Sequence, residues 1–230
     1  MKTAAIIQSN YIPWKGYFDI IHDVDEFIFF DEVQYTTRDW RNRNYVQTRE
    51  GLKWLTIPVG ADRNRAIRDV GMTDHSWQKK HLDTLIHCYS KAPYFKKYRK
   101  FLDFIYIETK WTNLSELNQT LIKMVSEEFL GIRTEFTKSE KYPSKAQKGE
   151  KLIEVLIGAG AEIYYSGPAA KDYIVVDDFK KNGIEVIWKD YDGYPEYPQL
   201  CSPFAHNVTI LDLLFNTGND AAWHIWGWRE

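Results

Sequence analysis

The segment QSNYIPWKGYFD, residues 8–19, joins a short apolar run at residues 4–7 to a stretch with helical spacing. The apolar run predicts a buried strand, and the polar residues after it predict a turn into the N-terminus of a helix. The first amides of a helix have no partners within the helix, and the helix dipole there favours anions. A strand followed by such a turn is therefore a frequent place for a binding site.

Side chains of this opening turn (residues 8–14) and the first helical residue supply several recognition groups. Gln8 and Asn10 offer amides, Tyr11 and Trp14 offer flat rings, and Lys15 offers a positive charge. The same residues also fit a structural role, in which the rings belong to the core and the amides bond the loop backbone. Taken together, they favour a binding site at this turn.

Alternation of apolar strands with amphipathic helices predicts an α/β fold with a predominantly parallel, Rossmann-like sheet and flanking helices. Residues 1–230 are expected to form a single domain with a helical insertion at about residues 75–130. Because ligands gather beyond the carboxyl ends of parallel strands, Asp31 and Gln34 are expected beside the opening turn. The predicted strands begin at Thr3, Glu26, Thr134, Glu162 and Ile184.

An arginine-rich segment follows the second predicted strand at residues 35–45, and it contains Arg41, Arg43 and Asn44. Guanidinium groups form paired hydrogen bonds to phosphate, so this segment suits a phosphate or a pyrophosphate. The alternative is a solvated surface loop. A further strand at residues 53–59 is expected either to form a hairpin with residues 66–70 or to lie antiparallel on the sheet.

Candidate bases are few in this sequence. His75 and His81 open the helical insertion, and histidine titrates near neutral pH without any perturbation. A surface or capping role fits either histidine as well. Asp31 is a third candidate base because of its expected position at the sheet edge.

A second strand-to-helix turn, Ser166-Gly167-Pro168, is followed by Lys171. A hydroxyl, a glycine, a helix start and a lysine could together cradle an anion, although a simple tight turn fits equally well. The segment lacks both the P-loop spacing and the nucleophile elbow of hydrolases. Farther along, Asp212 lies among apolar residues, where a carboxylate is costly unless paired, and His206 is one candidate partner.

Composition limits the class of protein. The chain has 230 residues and a formal charge of −2, so no global charge favours nucleic acid. No apolar run approaches the roughly 20 residues that span a bilayer, and the N-terminus lacks a signal-peptide pattern, so a cytoplasmic location is expected. Cys88 and Cys201 are expected to be free thiols. Without clustered Cys and His or a dinucleotide fingerprint, no metal or tightly held redox cofactor is expected.

Several motifs together resemble the WbqC-like family. They are the opening segment at residues 8–19, DEVQY at 31–35, RNRN at 41–44, WLTIPV at 54–59, YSGP at 165–168 and LDLLFNTG at 211–218. The family is associated with bacterial surface-polysaccharide gene clusters of the O-antigen type, including clusters that make acylated amino sugars. The resemblance implies a pathway and no particular catalytic residues. The opening turn also invites comparison with cytidylyltransferase-like enzymes, but Trp14 and Tyr17 stand where those enzymes carry histidines.

The pathway that the resemblance implies, the two possible anion-binding turns and the arginine-rich segment together suggest an acyl- or aminoacyltransferase that acts on a nucleotide-linked amino sugar. Transfer to an amine needs a base and an oxyanion stabiliser, for which the candidates are the three bases above and the amides of Gln8 and Asn10. The alternative is a non-catalytic accessory protein that binds a nucleotide sugar or an acyl carrier. In either case the expected ligand is a nucleotide-linked sugar or another phosphorylated small molecule.

We therefore expect one cleft to bind the phosphorylated ligand, and we expect Arg65, on a separate turn, to be unimportant for binding. The residues expected to converge on the cleft are Gln8, Asn10, Lys15, Arg41, Arg43, Asn44 and Ser166.

Overall fold

A five-stranded parallel sheet organises the molecule. The computed structural model describes residues 1–229. The sheet contains β1 (Thr3–Ile7), β2 (Glu26–Phe29), β5 (Glu135–Lys138), β6 (Ile163–Ser166) and β7 (Glu185–Trp188), in the order β5-β2-β1-β6-β7. All neighbouring strands are parallel, and Ala4 of β1 lies opposite Glu26 of β2. The predicted α/β fold is confirmed, and each predicted strand start is within one residue of the observed start.

Seven α-helices accompany the sheet within the described residues. They are α1 (Lys15–His22), α2 (Ser76–Tyr89), α3 (Arg99–Asp103), α4 (Leu114–Met124), α5 (Lys148–Ala159), α6 (Val176–Lys181) and α7 (Ile210–Thr217). Helices α3 and α4 each continue into one π-helical turn, at Phe104–Glu108 and Val125–Phe129. Shorter 3-10 turns include Ile67–Asp69 and Pro168–Asp172.

Helices cover both faces of the sheet. Phe27 and Phe29 of β2 point into a large core that also contains residues of α1, α2, α4 and α7. The alternating residue Ile28 points the other way, into a smaller core shared with α5 and α6. Successive residues of a strand face opposite sides of a sheet, so both faces of β2 are buried, as expected for a parallel sheet between two helical layers.

The order in which the chain adds strands to the sheet reverses between β1 and β6. From β1 it proceeds through β2 to β5 at one edge, and it then crosses through α5 to β6 and β7 on the other side. Connections from the two adjacent strands therefore diverge, which leaves a crevice beyond the carboxyl ends of β1 and β6. Open α/β sheets bind ligands at this kind of switch point.

The antiparallel hairpin differs from the prediction. Strand β4 (Gly51–Thr56) pairs with β3 (Arg43–Thr48), whereas residues 66–70 form a 3-10 turn and a single bridge from Ala66 to Gln34. The hairpin turn is possible because Gly51 has a φ of 109°, which non-glycine residues rarely adopt. No helix of the described residues is long and apolar enough to cross a bilayer.

Candidate functional site

A cleft of about 720 Å³ opens at the switch point. Ile7 and Gln8 line it from the end of β1, and Ser166 and Gly167 line it from the end of β6. Most of the remaining wall is aromatic. The aromatic lining residues are Trp14, Tyr17, Phe30, Tyr164, Tyr173 and Tyr191.

Trp14 is fixed in the wall by its neighbours. Its indole meets the Tyr191 ring edge-on, with centroids 5.1 Å apart. Below it, Gly16 leaves room for the indole, because a Cβ at that position would lie 2.6 Å from Cη2 of Trp14. The Tyr17 hydroxyl donates to the Gln8 carbonyl oxygen at 3.0 Å, which holds the backbone where β1 ends. The opening turn therefore shapes the aromatic wall directly.

Arg41 connects the arginine-rich segment to the cleft. Its guanidinium donates to Oε1 of Gln8 at 2.8 Å and also to Oδ1 of Asn10. Its carbonyl oxygen accepts from Nδ2 of Asn118 on α4 at 2.8 Å. With its amide oxygen bonded to Arg41, Gln8 keeps its NH2 group as the donor that faces a ligand. Three residues expected to converge are thus in contact.

Tyr11 and Asn44 support the turn from behind. The Tyr11 hydroxyl is 2.8 Å from both Nδ1 of His81 and the hydroxyl of Tyr106. The Asn44 amide donates to the carbonyl oxygens of Tyr11 and Ile12, at 3.1 and 2.8 Å. Ile12 has a φ of 36°, so Asn44 stabilises a backbone conformation that is costly for a β-branched residue. Both side chains are buried and neither lines the cleft.

The three candidate bases also lie outside the cleft lining. Asp31 accepts from the Ser9 amide at 2.8 Å, from Nε2 of Gln119 at 3.0 Å and from the Ser115 hydroxyl. His81 bonds Tyr11 and the Thr56 carbonyl oxygen, and burial lowers its pKa to about 4. His75 occupies the N-cap position of α2, without a capping hydrogen bond from its side chain.

Lys15 and Arg43 have other environments. The Lys15 ammonium lies 3.3 Å from the Pro195 carbonyl oxygen and 4.8 Å from the Tyr194 ring centroid, and burial lowers its pKa to about 8. The Arg43 guanidinium lies 4.0 Å from the Trp54 ring centroid. Neither residue lines the cleft. The expected set therefore divides. Gln8 and Ser166 line the cleft, and Arg41 joins Gln8 to Asn10 by hydrogen bonds just outside the lining. Lys15, Arg43 and Asn44 also lie outside the lining.

Two further predicted binding residues are exposed and do not line the cleft. Lys171 is exposed on the 3-10 turn after β6, with its ammonium 5.7 Å from the Trp188 ring centroid. Gln34 donates to the Arg63 carbonyl oxygen at 3.1 Å. Asp212 is buried, but Tyr197 and Gln199 donate to it at 2.8 and 2.9 Å, so the suggested pairing with His206 is wrong.

Sequence reasoning did not select Lys148, Tyr173 and Tyr191 as site residues. Lys148 begins α5 with a φ of 53°, and no local sequence pattern indicates that the helix opens on the cleft. Tyr173 ends the 3-10 turn Pro168–Asp172 that follows β6, and its largely exposed ring lines the cleft from that side. Tyr191 comes from an aromatic, turn-rich segment at residues 190–198, and that composition was the only available signal.

Chemically, the cleft provides rings, hydroxyls, an amide and the side chain of Lys148. Ser166 is buried, and its hydroxyl lies 3.4 Å from that of Tyr164. None of the described residues that line the cleft is an Asp, Glu, His or Cys. Across residues 1–229, no group of three or more such side chains is arranged to hold a metal ion.

Comparison with known proteins gives a family but no chemistry. The model of the WbqC-like protein family matches residues 8–223. An uncharacterized protein of Mycobacterium tuberculosis (strain ATCC 25618 / H37Rv) is 45% identical over 223 residues, which cover 96% of each chain. No solved structure gives a significant match.

Proposed function

The chain belongs to the WbqC-like protein family, and we propose that its cleft binds a nucleotide-linked amino sugar for acyl or aminoacyl transfer. The transfer would belong to bacterial surface-polysaccharide synthesis of the O-antigen type, which is the pathway that family resemblance implies. The amino sugar would be the acceptor, and a carrier-bound or otherwise activated acyl group would be the donor.

The observation that carries this proposal is the aromatic cleft at the switch point. Its volume of about 720 Å³ is within the range of roughly 300–1,000 Å³ that small-molecule sites occupy. Of the six aromatic side chains, Trp14, Tyr173 and Tyr191 are at least partly exposed, and they offer stacking surfaces for a nucleobase or a sugar ring. Gln8 and Ser166 add hydrogen-bonding groups that can fix the orientation of such a ligand.

A second candidate function is binding without catalysis. The lining residues include no carboxylate, imidazole or thiol, so a general base there would have to be Lys148 or a tyrosine. A protein of this kind would hold the nucleotide sugar and present it to a partner, such as an acyl carrier protein. The composition of the cleft favours this candidate, whereas the implied pathway favours transfer.

Calorimetric titration with nucleotide-linked amino sugars tests the binding step. Replacing Trp14 by Ala should weaken binding about tenfold or more, because one base–aromatic stack contributes about 1–3 kcal/mol. Trp223→Ala is the matched control, since this indole is 51% exposed and does not line the cleft. Absence of binding by the parent protein would exclude nucleotide-linked amino sugars as ligands. Equal effects of the two substitutions would exclude the cleft as the site.

Mass spectrometry separates the two candidates once a ligand is known. The bound amino sugar is incubated with acyl thioesters and aminoacyl donors, with and without the protein. A mass increase that requires the protein supports transfer. An unchanged mass with every donor, together with intact binding, supports the accessory role.

A further inference from the structure

Five arginines from two separate segments gather beside the opening turn. Arg38, Arg41 and Arg43 belong to one segment, and Arg63 and Arg65 belong to the turn at residues 60–65. We call these five residues the arginine cluster.

Hydrogen bonds join the two segments of the arginine cluster. The Tyr35 amide donates to the Arg65 carbonyl oxygen at 2.9 Å, and Nε of Arg63 donates to the Thr37 hydroxyl at 3.1 Å. The Arg65 guanidinium lies 5.4 Å from the Tyr35 ring centroid. The Arg43 guanidinium reaches back to the Arg38 carbonyl oxygen. The turn that carries Arg65 is thus packed against the segment that carries the other three arginines.

Most charges in the arginine cluster are not neutralised by acids. Of the five arginines in the cluster, only Arg41 has a carboxylate within 4.0 Å among the described residues, and its contact with Asp39 is a long 3.8 Å. Of the five arginines outside the cluster, three have a carboxylate within 4.0 Å, as Arg99 has Asp103 at 2.7 Å and Arg229 has Asp19 at 2.5 Å, and the other two are exposed. An accumulation of unpaired guanidinium charge is unfavourable unless an anion joins it.

Neutral acceptors hold these guanidinium groups in place. Arg43 bonds the Arg38 carbonyl oxygen, Arg65 bonds the Val59 carbonyl oxygen, and Arg41 bonds two side-chain amides. Such contacts fix the orientation of a guanidinium and leave its charge intact. Burial raises the pKa of the Tyr35 phenol. The Arg65 guanidinium opposes that effect most, the Asp39 carboxylate reinforces it, and Arg43 and Arg41 oppose it more weakly.

We propose that Arg41, Arg43 and Arg65, on the two segments that meet at the buried Tyr35, form a binding site for a diphosphate group. Planar guanidinium groups bind phosphate oxygens in pairs, and three of them outweigh the single nearby carboxylate of Asp39. Arg41 also bonds Gln8 in the cleft wall, so this site adjoins the cleft. The proposal rests on the proposed function in one respect, because it assigns the diphosphate of the nucleotide-linked sugar to these arginines.

Inorganic pyrophosphate is the probe, titrated calorimetrically into the full chain at low salt. We expect Arg43→Ala and Arg65→Ala each to weaken pyrophosphate binding at least tenfold, and we expect the difference to shrink as salt rises. Arg43→Lys should restore binding only in part, since lysine keeps the charge without the planar fork. Arg65→Gln is included because it removes the charge with a smaller loss of packing.

Two arginines outside the cluster serve as controls. Arg49 and Arg133 are exposed and have no carboxylate within 4.0 Å in the described part of the chain, so Arg49→Ala and Arg133→Ala remove the same charge elsewhere. Both controls should bind pyrophosphate like the parent. If Arg65→Ala binds as tightly as the parent, or if the controls weaken binding equally, the diphosphate site is wrong.

Titration with the nucleotide-linked sugar separates this inference from the proposed function. If the sugar binds and Trp14→Ala weakens it, while Arg43→Ala and Arg65→Ala do not, the diphosphate site is wrong and the proposed function stands. If the sugar does not bind, but pyrophosphate binds and is lost in the two arginine variants, the proposed function is wrong and the diphosphate site stands.

Discussion

Polar side chains of the opening turn divide into those that face the cleft and those that build its support. Gln8 lines the cleft, whereas Ser9 is fully buried and gives its amide to Asp31. The Asn44 NH2 group donates to two carbonyl oxygens of the same turn. Residue type alone cannot distinguish these roles. A side-chain amide has the same donors and acceptor whether it bonds a ligand or the backbone of a strained turn.

Replacing Gly16 by Ala tests the packing that fixes Trp14. The new methyl group would lie 2.6 Å from Cη2 of the indole, so the half-buried ring must move. We expect a loss of about 1–3 kcal/mol in the free energy of unfolding, as for other overpacked sites, together with weaker ligand binding. Urea unfolding and calorimetry measure the two effects. An unchanged stability would mean that the close approach is not a constraint.

His81 should make the stability of the protein depend on pH. The unfolded chain protonates this side chain below about pH 6.5, whereas burial lowers its pKa in the folded state to about 4. The unfolded state therefore binds more protons between these values, and folding stability falls as pH decreases through this window. His81 should contribute a loss of about 2 kcal/mol between pH 7 and pH 5.

His81→Gln isolates that contribution, because glutamine keeps hydrogen-bonding groups but does not titrate. The free energy of unfolding is measured in urea at pH 7 and at pH 5 for both proteins. The variant should lose less stability than the parent over this interval, while the contributions of His206 and His224 cancel in the comparison. Identical losses would show that His81 is protonated in the folded protein.

Among the secondary-structure elements, Asp31 links the end of β2 to the opening turn and to α4. Its carboxylate accepts from the Ser9 amide and from Ser115 and Gln119 of α4. Asp31→Ala leaves the Ser9 amide and the Ser115 hydroxyl without this acceptor and leaves Gln119 with Ser115 alone, and we expect it to cost about 3–5 kcal/mol in unfolding free energy. Asp69→Ala, at a largely exposed carboxylate, should change stability by less than about 0.5 kcal/mol. Chemical denaturation measures both, and a small effect at Asp31 would contradict its role as a link.

The sheet and its helices were predictable because their signals are local and repeated. Apolar runs of strand length alternate with amphipathic helices, and the predicted strand starts agree with those observed to within one residue. The β3–β4 hairpin was not predicted, because its turn depends on one glycine, Gly51, in an otherwise polar and ordinary stretch. Propensity places Arg43 in a loop, whereas the structure begins a strand there.

The sequence predicted only those site residues whose positions follow from the order and direction of the strands. Parallel strands bring Gln8 and Ser166 to one edge, and the order of the strands brings them to the same crevice. Tyr173 and Tyr191 reach that crevice through long-range packing, which leaves no periodic trace in the sequence. For the same reason, Arg65 looked isolated in the sequence, although the fold packs its turn against Tyr35.

For the whole molecule, one large core connects the sheet to the helical insertion. Buried residues of β2, the β3–β4 hairpin, α2 and α4 all belong to the same cluster. Asn118 and Gln119 of α4 add hydrogen bonds to Arg41 and Asp31. We therefore propose that the sheet and the insertion unfold as one cooperative unit, because neither can be exposed without uncovering the apolar surface of the other.

Hydrogen exchange with mass spectrometry at increasing urea concentration tests this cooperativity. Peptides from β1–β2 and from α2–α4 should lose protection at the same urea concentration, because the same core buries both. Helix α6 has six residues and only Phe179 buried, so its peptide should lose protection earlier and show that local opening is detectable. Loss of protection in α2–α4 at clearly lower urea than in β1–β2 would mean that the insertion is a separate folding unit. The opening turn, which bonds to both regions through Ser9 and Tyr11, should follow whichever region unfolds last.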